Sequence, residues 1–237
     1  MTYTAIRYEL SDNIATITLN RPERMNALTP KLFMEFGDAL KAAEADGARA
    51  LILTGEGSAF CSGQDLINDG ADLPDDLGAM LDEFYHPVVE ELTALNIPVI
   101  CAINGPAVGA GLSIALAGDI VVMARSAYLM LAFANIGLVP DAGATWLVAK
   151  SAGRAKALEM ALLGEKISAE QALDLGLVTR VADDAQVMQE ARAIATKLAN
   201  GPSIALGLIR KQVASALNST FTEMLVIEKT NQTRAGR

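Results

Sequence analysis

VICAINGPAVGAGLSIALAGD, Val99 to Asp119, decides how the rest of the chain is read. It begins as a short apolar run, Val99-Ile100-Cys101-Ala102-Ile103, and Asn104-Gly105-Pro106 then turns the chain. Gly109-Ala110-Gly111 leads into small and apolar residues, Leu112 to Ala117. The order is strand, glycine turn, buried helix. Glycines at such a junction let backbone come close to a ligand. A helix start also presents unpaired N–H groups and a positive dipole end. The stretch suits either developing negative charge or tight strand-to-helix packing. Nucleotide phosphate is a poor match: Leu112-Ser113-Ile114 does not complete G-x-G-x-x-G, and no Gly-Lys-Ser/Thr follows.

Upstream, Tyr3 to Asn20 alternates, with Ile14, Thr16 and Thr18 set against Ala15, Ile17 and Leu19. Asp12-Asn13 between the two halves predicts a hairpin. Thr29-Pro30 predicts a helix start, with Thr as N-cap and Pro at the first helical position. That helix runs to about Asp46, with Leu32, Phe33, Phe36 and Leu40 on one face. Ala50 to Thr54 is a buried strand, and Gly55-Glu56-Gly57-Ser58 a turn. Asn68 to Asp76 is acidic and rich in turn formers, so it is expected to be exposed and mobile. Leu77 to Leu95 reads as an amphipathic helix carrying His86.

Downstream, Ile120 to Ala124 is a strand and Ala127 to Phe133 is extended. Ile136 to Gly143 forms a loop. Helices are expected over Ala144–Lys150, Arg154–Leu163, Ser168–Leu175, Ala185–Asn200 and Pro202 to about Asn231, with a short strand at Leu177–Val181. Strand, glycine turn and helix recur at Leu51, Val99 and Ile120, a weak self-similarity at roughly 20 to 50 residues. The expectation is an α/β core of stacked turns over 1–190 and a helical region over 191–237.

Composition narrows the function. The chain has 237 residues, a net charge of −9 and one histidine. No basic stripe is present to neutralise phosphates, which excludes nucleic acid and disfavours anionic membrane surfaces. The N-terminus lacks a basic-then-apolar signal, and no apolar run is long enough to span a bilayer, so a cytoplasmic protein is expected. Cys61 and Cys101 read as reduced core residues. One His and two isolated Cys offer no metal-ligand spacing.

Three segments together resemble the crotonase superfamily, the enoyl-CoA hydratase/isomerase family. Ala59-Phe60-Cys61-Ser62-Gly63-Gln64-Asp65-Leu66 is similar to its A-F-C-A/S-G-x-D-L loop. Ile103 to Gly111 is similar to its I-N-G-x-A-x-G-G/A-G loop, and Asn20-Arg21-Pro22 through Asn26-Ala27-Leu28 to its N-R-P…N-A-L entry. Gly176-Leu177-Val178 followed by Val181 is a further mark. The resemblance implies a spiral of ββα turns with a C-terminal helical trimerisation region, assembled as trimers or dimers of trimers. It implies an acyl-CoA thioester substrate, with coenzyme A part of that substrate and no separate cofactor. The backbone N–H groups of Ser62 and Ala110 would form an oxyanion hole, a device in which one donor is worth about 3 kcal/mol. Substrate contacts are expected from Arg24, Ala27, Gln64, Asp65, Leu66, Gly109, Phe133 and His86. Asp65 would also cap the helix after its loop, and Arg24 would meet CoA phosphates. The family chain continues past the equivalent of Arg237 with a segment that completes the adenine pocket. Either altered CoA affinity and trimer packing or an incomplete chain is therefore expected.

The resemblance also bears on the reaction. The two glutamates typical of hydratases would fall at Ser113 and Phe133, so the two-glutamate addition of water lacks both its groups. Ile136-Gly137-Leu138-Val139-Pro140-Asp141-Ala142-Gly143 resembles the I-G-L-x-P-D/E-x-G loop of the isomerase branch, which includes Δ3,Δ2-enoyl-CoA and ring-epoxide phenylacetyl-CoA isomerases. There the carboxylate matching Asp141 shuttles a proton along the acyl chain. Asp141 also suits an N-cap for the following helix. The aroyl-CoA dehalogenase branch wants a Trp shortly before this Asp, and Trp146 lies after it. A Ser–His–Asp triad has only His86 to build on and no nucleophile-elbow sequence. The remaining alternatives are a hydratase with displaced acid and base, and a non-catalytic acyl-CoA-binding homologue.

Overall fold

The computed structural model describes residues 3–66 and 76–236. The segment expected to be mobile lies, up to residue 75, outside them. The chain opens with the hairpin β1 (Ile6–Ser11) and β2 (Ile14–Leu19), paired antiparallel. Its turn residues Asp12 and Asn13 both have positive φ, which short polar side chains tolerate. Four strands continue the sheet: β3 (Ala50–Gly55), β4 (Val99–Ile103), β6 (Ile120–Ala124) and β9 (Arg180–Ala182), in the order β1-β2-β3-β4-β6-β9. All pairs after the hairpin are parallel. Strands β2, β3 and β4 are buried along their whole length, as parallel strands covered on both faces must be.

A second, smaller sheet is built from short excursions that leave the large one. These are β5 (Ala107–Val108), β7 (Tyr128–Met130) and β8 (Lys166–Ser168). The isolated bridges Cys61↔Ala107 and Leu28↔Gln64 bring the earlier turns alongside. Each turn of the spiral thus gives one strand to the main sheet, a few residues to the second, and then a helix. Helix α1 (Pro30–Ala45) starts as expected, the Thr29 hydroxyl accepting the Leu32 N–H at 3.2 Å. Helix α4 (Ala110–Leu116) follows β5 and is wholly buried. Helix α5 (Ala144–Leu163) is broken at Gly153, where φ is 78°. Ser168 caps α6 (Ala169–Asp174) with a capping box.

The expected amphipathic helix over 77–95 is α2 (Leu77–Met80), a π-turn (Leu81–Tyr85) and α3 (His86–Ala94) in succession. Pro87 gives the reason. It has no N–H to donate, and its ring would crowd the carbonyl of Glu83. The turn widens instead, and the His86 N–H reaches the Leu81 carbonyl. The extended segment expected over 127–133 is only three residues of strand, followed by a 3₁₀ turn, Ala132–Ile136.

Helix α7 (Val187–Ala199) buries Ala191, Ile194, Ala195 and Ala199 and lies along β3, β4 and β6. The 190/191 boundary read from sequence therefore falls inside a helix of the core. The separate helical region is the pair α8 (Ser203–Ala216) and α9 (Phe221–Ala235), which pack on each other. Arg210 ties α8 to the core. It is 6% exposed, bonds the Asp119 carboxylate at 2.6 Å, and donates to the carbonyls of Leu92, Thr93 and Leu95.

Candidate active site

Two asparagines frame the site. Asn26 is fully buried, with φ at 55°. Its amide donates to the carbonyls of Glu56 and Ala59 at 2.9 and 2.8 Å, and its oxygen accepts the Arg21 N–H at 2.9 Å. Asn104 accepts the Gly55 N–H at 3.1 Å and donates to the Gly57 carbonyl at 2.9 Å. Together they pin the entry loop and the loop after β4 onto the turn that follows β3. Each of these bonds goes to a backbone group, the Ala59 carbonyl among them buried. Sequence reading quoted both asparagines as marks of resemblance and missed their structural work.

On this frame the two glycine loops touch. A methyl placed on Gly63, where φ is 88°, would lie 2.9 Å from the Val108 carbonyl oxygen and 3.7 Å from the Ala110 nitrogen. One placed on Gly111 would lie 2.5 Å from the Cys61 carbonyl oxygen and 2.7 Å from Cys61 Cβ. Glycine is required at both positions for the loops to approach.

The backbone donors at this contact can be accounted for one by one. The Ser62 N–H is donated to the Met25 carbonyl at 3.0 Å, and the Ser62 hydroxyl points at the Arg24 carbonyl at 3.4 Å. Ser62 is thus spent on holding the entry loop, which corrects its assignment as a free donor. The Gly63 N–H is directed at the Cys61 sulfur. The Asp65 N–H bonds the Leu28 carbonyl at 2.9 Å. Among the described residues the Gln64 and Ala110 N–H groups have no acceptor. The two unpaired donors therefore belong to Gln64 and Ala110. Sequence reasoning had Gln64 as a binding residue; the Met25 carbonyl, in a residue with φ at 49°, takes the Ser62 N–H and leaves that of Gln64 without an acceptor.

Asp141 lies on the loop before α5. Its Oδ1 is buried without a hydrogen-bond partner. Burial raises its pKa to about 6, against an opposing pull from His86. It does not cap the helix: the N-cap is Gly143, with φ at 85°, and the Ala144 N–H bonds the Asp141 carbonyl at 2.9 Å. The side chain is left for other work. Ser113, fully buried on α4, donates to the Asp141 carbonyl at 3.1 Å, so the residue in place of a hydratase glutamate positions the aspartate loop.

Phe133, in place of the other glutamate, is buried, and its ring end would sit 3.8 Å from a methyl on Gly109. Gly109 itself has φ at 55° and donates to the Met130 carbonyl at 2.9 Å.

Several of the other expected contacts lie where the entry loop pairs with residues 62–65, through the Ser62, Leu28 and Asp65 N–H groups. Asp65 meets Arg21 at 2.8 Å, and Arg21 also reaches the carbonyl of the buried Ala27. The helix it was expected to cap would fall in residues outside those described. Leu66 is exposed. Arg24 is half-buried in the 3₁₀ turn Pro22–Arg24. His86 is exposed, with Nδ1 2.9 Å from the Asp82 carboxylate, and it lies near enough to Asp141 to pull on that carboxylate. A cleft of about 410 Å³ opens between Leu28, Pro30, Gln64, Met80 and Tyr85. Cys61 and Cys101 are buried thiols, each pushed up to about 12 by burial. Among the described residues no cluster of His, Cys, Asp and Glu could hold a metal, and no helix is long and apolar enough to cross a membrane.

The model of the family described as enoyl-CoA hydratase/isomerase matches residues 9–236. The 1,2-epoxyphenylacetyl-CoA isomerase of Escherichia coli K12 is 45% identical over 94% of this chain and 87% of its own. A probable enoyl-CoA hydratase of Rhodobacter capsulatus is 44% identical over 100% of this chain and 91% of its own. The crystal structure of an enoyl-CoA hydratase from Polaromonas sp. JS666 superposes with a TM-score of 0.91 at 34% identity, covering 98% of this chain and 91% of that one. The spiral, the paired glycine loops and these matches show that the chain belongs to the enoyl-CoA hydratase/isomerase family, with the crotonase fold.

Proposed function

We propose that the protein isomerises an enoyl-CoA, moving a carbon–carbon double bond by proton transfer through an enolate. The observation that carries this reading is Asp141: a buried carboxylate oxygen with no partner, beside positions where Ser113 and Phe133 replace both hydratase glutamates. In a 3-enoyl thioester, Asp141 takes a proton from C2 and returns it to C4, so the π bond moves from C3–C4 to C2–C3. One base suffices, because the proton removed is the proton returned. The thioester oxygen, negative in the intermediate, rests on the Gln64 and Ala110 N–H groups. Preorganised donors of this kind stabilise developing charge without reorganisation. A pKa of about 6 leaves Asp141 mostly ionised at neutral pH and still able to hold a proton briefly.

Coenzyme A enters as part of the substrate, and no further cofactor has a role in this scheme. Arg24, Ala27 and the Gln64-Asp65-Leu66 backbone form the wall on which the CoA moiety would lie. Ile204, Val213, Phe221 and Val226 on α8 and α9 are large apolar residues facing solvent. Burying them between copies supports a homotrimer or a dimer of trimers. The reduced, buried cysteines fit a cytoplasmic setting. The likeness to a probable hydratase keeps water addition as the competing reading. The test is turnover of a 3-enoyl-CoA against hydration of a 2-enoyl-CoA, with wild type and Asp141→Asn. Isomerisation that survives Asp141→Asn removes the role of Asp141, and acyl-CoA binding without turnover of either substrate leaves a binding protein.

A further inference from the structure

The isomerisation proposed above ends in a 2-enoyl thioester, and that product is itself open to water. Asp141 alone has the means to carry the addition. It takes a proton from water as the water oxygen bonds C3. The C2–C3 π pair moves through the thioester carbonyl onto its oxygen, and the same proton is then delivered to C2. A site that stops at isomerisation must therefore deny water a place beside C3, two bonds from the carbonyl carbon.

Phe133 stands where that denial is needed. A methyl placed on Gly109, directly before the unpaired Ala110 N–H, would have two atoms within 4 Å beyond its own chain neighbours, among the described residues. They are Phe133 Cζ at 3.8 Å and Gly63 Cα at 3.9 Å. The gap beside this donor is thus walled by the tip of an aromatic ring and by the first glycine loop. Phe133 is 7% exposed, in the turn Ala132–Ile136. Its carbonyl accepts the Leu138 N–H at 3.0 Å, so one folded loop sets both the ring and Asp141. The Ser113 hydroxyl, the nearest replacement for a lost carboxylate, is committed to the Asp141 carbonyl at 3.1 Å. The ring fills volume and offers water no strong hydrogen bond, so water is refused by bulk and by chemistry together.

We infer that Phe133 decides the product: its ring tip occupies the place from which water would reach C3, and the 2-enoyl thioester leaves unhydrated. Excluding water is one way a site prevents a side reaction. The inference rests on the isomerase reading above and names the residue that chooses between its two outcomes.

The experiment supplies 3-enoyl-CoA and 2-enoyl-CoA separately to wild type, Phe133→Leu and Phe133→Ala in water labelled with heavy oxygen. Mass spectrometry counts labelled 3-hydroxyacyl-CoA against isomerised product. The ratio of hydration to isomerisation rises at least about tenfold in both variants, the scale on which pocket volume sets discrimination. Phe133→Leu removes the ring tip and keeps the apolar root of the side chain packed, so it carries the test should Phe133→Ala unfold. A smaller rise, or none, in folded Phe133→Leu overturns the inference and leaves the isomerase reading intact. Loss of both activities in folded Phe133→Leu marks a structural residue and overturns it too. Wild type that hydrates 2-enoyl-CoA as fast as it isomerises 3-enoyl-CoA also overturns it. Wild type that hydrates without isomerising, or does neither, overturns both readings.

Discussion

The two glycine loops and the aspartate loop do their work by opposite means. In the proposed mechanism the functional atoms of the glycine loops are backbone N–H groups, and side-chain identity matters only where a side chain would intrude. Gly63 and Gly111 are fixed by contacts of 2.9 and 2.5 Å that a methyl would have to make. The aspartate loop depends on one side chain, held mainly by a carbonyl that accepts from Ser113 and Ala144. On the proposed reading, then, the part of the site that binds charge is conformational and the part that moves protons is chemical. The first can be damaged only by deforming the fold. The second can be exchanged while the fold stands, which is how one architecture serves hydratases and isomerases alike.

Gly111→Ala gives the harshest break in this comparison. The methyl meets Cys61 backbone, which cannot swing away, and the loops separate. Stability falls by about 1–3 kcal/mol from overpacking, and kcat/KM falls by about 100-fold or more as a donor is lost. Chemical denaturation and turnover of a 3-enoyl-CoA read the two together.

Asp141→Asn splits them. Activity falls by about 100- to 10,000-fold, the range for a general base, while stability rises. The carboxyl has a native pKa of about 6 against 3.8 when solvated. The unfolded chain therefore releases this proton more readily, and ionisation between those values favours unfolding. The penalty is absent below the lower value and complete above the higher one. Discounted for the partial exposure of the group, it is about 1–2 kcal/mol at pH 7. Urea titrations of both proteins at pH 4 and pH 7 should show the gain only at the higher pH. By the same titration, wild-type kcat/KM rises with pH through about 6 and levels off above it.

Ser113→Ala probes the join between the two regions. It removes the 3.1 Å bond to the Asp141 carbonyl and leaves both sets of functional atoms in place. About 1 kcal/mol of stability is lost, and kcat falls by about tenfold through misplacement of the base, with KM little changed. Ser62→Ala has the smallest effect. The N–H bond to Met25 survives and only a 3.4 Å hydroxyl contact goes. Activity should stay within about threefold and stability within about 0.5 kcal/mol, as for surface changes.

The same contrast explains what could be read before the structure. The hairpin was readable because Asp12-Asn13 and the strict alternation each suffice locally. Thr29-Pro30 placed α1 by its own chemistry. The strands β5, β7 and β8 are two or three residues long, too short to show a period, and they exist because turns of the spiral meet. The π-turn was invisible to a 3.6-residue pattern, although Pro87 was its signal. The break between α8 and α9 also had one, since Thr220 and Glu223 form a capping box. Asp141 was legible as a candidate from its motif, because a side chain carries that motif. The unpaired N–H of the first loop lies two residues after the one expected, because the Ser62 N–H is taken by Met25, more than thirty residues away in sequence.

The tether made by Arg210 has a consequence for the order of assembly. It joins residues 91 to 118 positions apart, linking α8 to Asp119 and to the carbonyls that end α3. The Asp119 carboxylate it holds also receives the Val99 N–H at 2.7 Å, at the first residue of β4. During synthesis the central strands leave the ribosome long before the arginine does. Asp119, its pKa raised by burial and pulled back by Arg210, waits through that interval without its counter-charge. The tether is the last latch on the central sheet. A latch that closes after the rate-limiting step slows unfolding and does little for folding. Arg210→Ala is therefore expected to speed unfolding more than it slows folding, as stopped-flow denaturation would read.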